Sequence, residues 1–432
     1  MKSILKNKEY FIYLYYAIFL LIVTFRTSED APNTVLRFGF LAAFFLPLIY
    51  RYQYLLPACL LCFFTIGTYG FAYNFFPYDA VIYFVIGLIA FILNQKGKIF
   101  VSIKLIFYFV VTLLIVSVNI VDSGSPQDIG YGMMTFLLLG HLANRGSTNT
   151  ESSFYLMNGF SFASLSLSLI YLLNYKRFMV SYNAAESLDR SGWIDPNYFS
   201  CVIGMGVLAS LILLLKYPNK FMKTIWLLAL ILSIIVQLLL ASRGGLLASF
   251  MGIIIILSRY KISIYHKLLI SICIVVFLSY LYASGVFDLL MYRIADDDGT
   301  GSGRTTIWLN KLEAFLDEGN PFQWIFGMGY MSAFFLCGYG SIPIGFHNDF
   351  VAVLCGYGFV GLGIFLYMFY YPYKIALKED KPVVLSLLIY LILSCTTLEP
   401  LTAGRLSYLG FYYLIITYAF QSSLKSKSMI KS

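Results

Sequence analysis

Charge is the scarcest property of this sequence. Only 12% of its 432 residues are charged and three are histidine, against roughly 25% charged in soluble proteins. That scarcity excludes a soluble enzyme. Seven cysteines (59, 62, 201, 273, 337, 355 and 395) fall mostly inside apolar stretches, and an odd number cannot all be bridged. Neither a disulfide framework nor a thiolate metal site is supported. No Walker motif or GxGxxG opens a soluble nucleotide domain, which disfavours an ATP-driven pump and a nucleotide-dependent oxidoreductase. Asp296, Asp297 and Asp298 form a bare run without recognisable metal spacing, and a solvated acidic run is the commoner outcome. The sequence asks for no cofactor and no metal.

Apolar residues fill the space that charge leaves. They make up 60% of the chain, with 18% aromatic and a mean hydropathy of +0.79. Runs of roughly twenty apolar residues, enough to cross a bilayer, recur throughout, whereas the short alternating segments of an outer-membrane barrel are lacking. The expected fold is an all-α polytopic integral membrane protein of about 14 transmembrane helices (range 11–14), forming a single transmembrane domain over 1–432. The windows are 10–25, 36–50, 54–72, 78–94, 99–120, 129–144 and 153–174, then 195–216, 223–240, 243–258, 266–284, 348–371, 382–398 and 403–420.

Thirty Lys and Arg stand against 21 Asp and Glu, a net charge of +9. With the N-terminus inside, 19 of the basic residues fall in cytoplasmic segments and ten in outer ones, with Lys104 inside a span. This split follows the positive-inside rule and puts both termini in the cytoplasm. Lys2, Lys6 and Lys8 precede an apolar run that no A-x-A-like site follows, so that run reads as an uncleaved first span. Two outer segments stand out, a smaller one at 175–194 and a large one at 285–347 before the last three spans. The large loop is locally acidic, which removes any cationic surface for nucleic acid. Within it Trp308, Leu309, Leu312, Phe315 and Leu316 share the spacing of one helix face, predicting an amphipathic surface helix over about 304–318. Gly319, Asn320 and Pro321 end it.

A few residues carry possible chemistry, each with two readings. His141 and His266 belong to a span and a basic inner loop, but His347 begins His347-Asn348-Asp349-Phe350, where the long loop re-enters the membrane. A partly desolvated imidazole there can serve as general base; the plainer reading is a polar interfacial residue bonded to a loop carbonyl. Arg243, in Ser242-Arg243-Gly244-Gly245, lies in a very short outer turn between two apolar runs. It is either a bidentate phosphate ligand or an interfacial anchor. Arg304 follows a glycine-rich approach (Gly299, Gly301, Gly303) at the helix start. It reads as an anion site or as a partner of Asp296 to Asp298. Asp195-Pro196-Asn197 starts the eighth span, with Asp195 as N-cap and Pro196 at the first helical position, or with sugar recognition as the alternative.

Taken together, these pieces resemble the O-antigen polymerase and ligase superfamily. The resemblance rests on many spans, a large outer loop before the last three, Ser242-Arg243-Gly244-Gly245, Ser302-Gly303-Arg304 with Trp308, and His347-Asn348. An RxxxL element at Arg243 to Leu247 and a glycine nine positions after the histidine, Gly356, fit the same family. Asp195-Pro196-Asn197 looks more like the polymerase branch. The resemblance implies a GT-C-like, metal-independent, inverting glycosyltransferase. Its substrate would be undecaprenyl-diphosphate-linked oligosaccharide, among membrane lipid at the periplasmic face of a bacterial inner membrane. Arg243 and Arg304 would then hold the diphosphate and His347 would take the acceptor's proton. Asp195, Asn197, Asn348 and Trp308 are the candidate substrate contacts. A chain-length-regulating copolymerase is a candidate partner on the same ground, and nucleic acid is not. A ligase that moves finished glycan to lipid A core or protein shares this donor chemistry. A lipid-linked oligosaccharide flippase is the rival of another class, opposed by the large outer loop and the charge-poor span interiors.

Overall fold

The computed structural model of the protein describes residues 152–173, 196–259, 303–329, 345–398 and 406–429, with a few single positions besides. The expected spans from 10–25 to 129–144 lie outside the described residues, as does nearly all of 266–284 and with them a total span count. Among the described residues every regular element is a helix and none is a strand. In chain order these are α1 (Ser152–Leu173), α2 (Pro196–Lys216), α3 (Lys220–Leu239), α4 (Arg243–Arg259), α5 (Arg304–Glu318), α6 (Pro321–Phe326), α7 (Asp349–Ile375), α8 (Lys381–Thr397) and α9 (Leu406–Met429). Residues 156–173 of α1, and α2, α3 and α7, are long and apolar enough to cross a membrane, while α8 is apolar but shorter. This is a helical membrane protein.

Local chemistry sets the helix limits. Pro196 opens α2 at the position where a missing N–H costs nothing. Asn219 caps α3 by accepting from Met222 N at 3.2 Å. The helices form two compact units, one holding α1 to α4 with Leu385–Tyr390 of α8, the other α5 to α7, α9 and the two ends of α8.

In the first unit α2 is buried along most of its length, with α3 and α4 packed on it. Lipid tails are as apolar as leucine, so helices associate in a bilayer through close approach and hydrogen bonds. Both devices are present. A Cβ on Gly252 of α4 would stand 2.8 Å from Leu208 of α2, and one on Gly245 would stand 2.9 Å from Ser200 Cβ. Ser161 meets Ser210 at 2.7 Å, Ser164 meets Ser233 at 2.5 Å, and Trp226 Nε1 donates to Asn158 at 2.9 Å. Gln237 of α3 ties three helices, donating to Ser200 O at 2.8 Å and to Ser249 Oγ at 2.9 Å. Ser386 Oγ donates to Gly252 O at 2.8 Å, and Tyr390 OH to Cys201 O.

The second unit centres on Phe315, Met328, Ala333, Phe346, Ala352 and Cys355. The stretch 348–371 reads in the sequence as one continuous span; instead α7 is interrupted at Gly358 (φ 67°, ψ −168°). The interruption leaves two pieces, 349–357 and 359–375. Carbonyls that lose their helical partners there are satisfied from the loop after α6: Met328 N donates to Cys355 O at 3.0 Å and Gly329 N to Gly356 O at 3.1 Å. The buried face of α5 also differs from the apolar stripe. It is made by Lys311, Ala314 and Phe315, while Leu309 and Leu316 are 58% and 55% exposed. The core accepts the lysine because Ala333 O accepts a hydrogen bond from its ammonium at 3.2 Å.

Close packing at Gly245 and open space at Gly363 make opposite predictions. Gly245→Val adds bulk against Ser200 and is expected to cost ~1–3 kcal/mol, read as a lower apparent unfolding temperature in detergent. Gly363→Ala, with nothing within 4 Å of a new Cβ, is expected to unfold with the wild type. Equal unfolding temperatures for the two variants would refute the packing account.

Candidate active site

In the second unit, α5 begins at Arg304 after Gly303, whose φ of 76° suits glycine. Arg304 is partly buried and its Nη1 donates to Thr397 O at 2.7 Å. Thr397 is the last residue of α8, where unpaired carbonyls and the negative end of the helix dipole attract a cation. One turn further along α5, Trp308 Nε1 donates to Phe346 O at 2.8 Å. Another turn on, Lys311, 1% exposed, lies with Nζ 4.8 Å from the Phe346 ring centroid, a cation–π contact. Helix α5 thus grips Phe346 by carbonyl and by ring.

The next residue is His347. Its φ of 50° is left-handed, a conformation that costs a non-glycine residue about 1 kcal/mol or more and persists when its surroundings over-determine it. Here they do. Phe346 is held by α5, and Asn348 is the N-cap of α7, its Oδ1 accepting from Phe350 N at 2.9 Å and Val351 N at 3.3 Å. His347 is partly exposed, with Nδ1 buried. Asp349, fully buried, sits in the first turn of α7, where a carboxylate is favoured. Its Oδ2 accepts from Leu401 N at 3.0 Å. The chain from Thr397 to Leu401 is therefore tied to α5 through Arg304 and to α7 through Asp349. The structure brings Arg304, Trp308, His347 and Asn348 into one neighbourhood, with an imidazole and a guanidinium that can respectively take a proton and hold an anion.

In the first unit, Arg243 opens α4 and is partly buried. The turn before it is tight: Ala241 has φ 50° and donates to Leu238 O at 3.0 Å. Ser242, 1% exposed, donates to Asn197 Oδ1 at 3.1 Å, which links the N-terminal ends of α4 and α2, where Arg243 and Asn197 lie. Leu247 of the RxxxL element is 52% exposed. Asp195 lies outside the described residues.

Three features escaped the sequence reading. Asp349 directly follows the Asn348 cap; that pairing was the available signal. Lys311 lies off the apolar stripe of α5, and nothing in its local sequence marks it as buried. The break at Gly358 is matched by Gly327, whose φ is 94° and whose would-be Cβ runs into the backbone of Gly356. The glycine nine positions after His347 is thus a place where two backbones touch.

Residues 228–366 match the family model described as O-Antigen ligase. Arg243, Arg304, Trp308, His347, Asn348 and Gly356 fall inside that stretch, and Asn197 falls outside it. Members of this family are glycosyltransferase-like enzymes. No curated protein matches the chain.

The cap at Asn348 is testable apart from any activity. Asn348→Ala removes both side-chain bonds and is expected to weaken the first turns of α7 by ~1 kcal/mol, seen as faster amide hydrogen exchange over 349–357. Asn348→Asp keeps an acceptor and should exchange like the wild type. Unchanged exchange in Asn348→Ala would sink the capping account.

Proposed function

We propose, from a chain whose residues 228–366 match the family model described as O-Antigen ligase, that this protein is a glycosyltransferase polymerising undecaprenyl-diphosphate-linked repeat units at the periplasmic face of a bacterial inner membrane. The observation that carries the reading is His347, held in a left-handed backbone between the α5 grip on Phe346 and the Asn348 cap, in the unit that also holds Arg304. An imidazole set so firmly needs little reorganisation when it acts, as a positioned general base should.

The acceptor hydroxyl oxygen attacks the anomeric carbon of the donor glycan while the bond from that carbon to the diphosphate oxygen breaks. His347 takes the hydroxyl proton. The electron pair leaves with the lipid diphosphate, and Arg304 meets the charge that develops there. One displacement of this kind inverts the anomeric centre, and an activated diphosphate leaving group supplies the driving force without ATP or a metal. Arg243 carries the same anion-holding assignment and is tested separately. Asp195, Asn197 and Trp308 remain candidate substrate contacts, with Asn348 already engaged in the cap. A chain-length-regulating copolymerase remains a candidate partner.

The ligase reading shares every donor step and differs in the acceptor; the description of the matched family favours it, and Asp195-Pro196-Asn197 favours the polymerase.

Gel analysis of surface glycan from a strain lacking this gene separates them. Polymerase loss leaves single repeats on the lipid core; ligase loss leaves full-length polymer on the lipid carrier; a block before any outer-face repeat indicates a flippase. On complementation, His347→Ala, Arg243→Ala and Arg304→Ala are expected to insert normally yet fail to restore the ladder, and His266→Ala to restore it. Loss of a general base costs about 10²–10⁴-fold in rate, so a normal ladder from inserted His347→Ala overturns the assignment.

A further inference from the structure

Helix α6 buries none of its six residues. Phe322, Ile325 and Phe326 are 57%, 46% and 38% exposed, and the two phenylalanine rings lie 4.8 Å apart. No residue from Pro321 to Phe326 is charged. Several of its polar groups are satisfied within the protein: Asn320 and Gln323 form a reciprocal capping box at 3.0 Å in each direction, Gly327 N donates to Gln323 O at 2.6 Å, and Trp324 Nε1 donates to Phe315 O of α5 at 3.2 Å. Non-helical or short helical backbone is tolerated at membrane depth only when its polar groups are satisfied in this way.

The position of α6 along α7 fixes its depth. The backbone of Ile325 lies against Gly358, where a Cβ would come within 2.6 Å of Gly327 N. Just past the break, Phe359 and Val360 are exposed, and the same helix goes on to expose Leu366, Tyr367, Tyr370 and Tyr373. The exposed apolar residues of α6 thus adjoin the exposed flank of α7 at Gly358. Between Asp349 and Lys374 the helix carries no charge. Lys374 Nζ lies 5.8 Å from the Tyr370 ring and Lys381 Nζ 4.8 Å from the Tyr373 ring, the cation-and-aromatic girdle of a membrane boundary. Measured from Tyr373, Phe359 is ~21 Å along the helix, short of a hydrocarbon layer ~30 Å thick. The break and α6 therefore fall inside the layer at its far side.

We propose that α6 is a re-entrant lipid anchor, with Phe322, Ile325 and Phe326 among the acyl chains of the leaflet on the His347 side. It holds the α7 break within the bilayer and leaves His347, at most ~20 Å further along, near the headgroup layer. That this is the depth of a lipid diphosphate rests on the functional reading above; the lipid contact of α6 does not.

Benzoylphenylalanine placed at Phe322 or Phe326 keeps an aromatic side chain, and Glu318, two residues before the capping box, serves as the aqueous control. In membranes labelled with ³²P-phospholipid, irradiation of the full-length protein is expected to attach label at 322 and 326 at least several-fold above 318. Adducts with a second copy or another protein, or no excess of phospholipid label over 318, would overturn the anchor. A surface-glycan defect in Phe322→Glu with Phe326→Glu bears on the functional reading alone, so the two can fail separately.

Discussion

A helix broken inside a bilayer has no water to donate to its orphaned carbonyls, and each one left bare costs several kcal/mol. The second unit is built around that requirement. Met328 and Gly329 donate to Cys355 and Gly356, and they reach those carbonyls only because Gly327 and Gly358 carry no side chain where the two backbones meet. Once the break is satisfied, the first piece of α7 can turn away from the direction of the second. Its start, with Asn348 and Asp349, then becomes a place where side chains from α5 and backbone groups at and just past the end of α8 are held.

Charge in this unit is spent where a counterpart exists. Arg304 answers the carbonyl end of α8, Asp349 answers a backbone N–H just past that helix, and Lys311 answers a carbonyl and an aromatic face. Such pairing lets a chain of low charge density keep three ionisable groups close together in apolar surroundings. The reactive geometry proposed for His347 is the by-product of these structural ties, since a residue in a costly backbone conformation stays there only when both neighbours are fixed.

The first unit solves a different problem with smaller means. Its helices gain little by hiding leucine from lipid, so glycines bring the backbones of α2 and α4 together, and serines with Gln237 supply bonds between them. Arg243 and Asn197 stand at the end of this polar seam, linked through Ser242. A hydrogen-bonded bundle end is a suitable mount for the anion-holding role proposed for Arg243.

What the sequence determined by itself follows from one-dimensional quantities. Hydropathy runs and sparse charge declare a helical membrane protein, and helix starts and stops at Pro196, Asn219, Gly319 and Asn320 depend on chemistry within four residues. His347, Arg304 and Arg243 are visible because a charge or an imidazole beside apolar runs is conspicuous. The rest depends on pairs distant in the chain. That Trp308 grips Phe346, that Asp349 binds Leu401, that Lys311 rather than Leu309 faces the core, and that α7 is two pieces were decided by tertiary contact. No local pattern reports which acceptor, 22 to 93 residues away, will satisfy a donor.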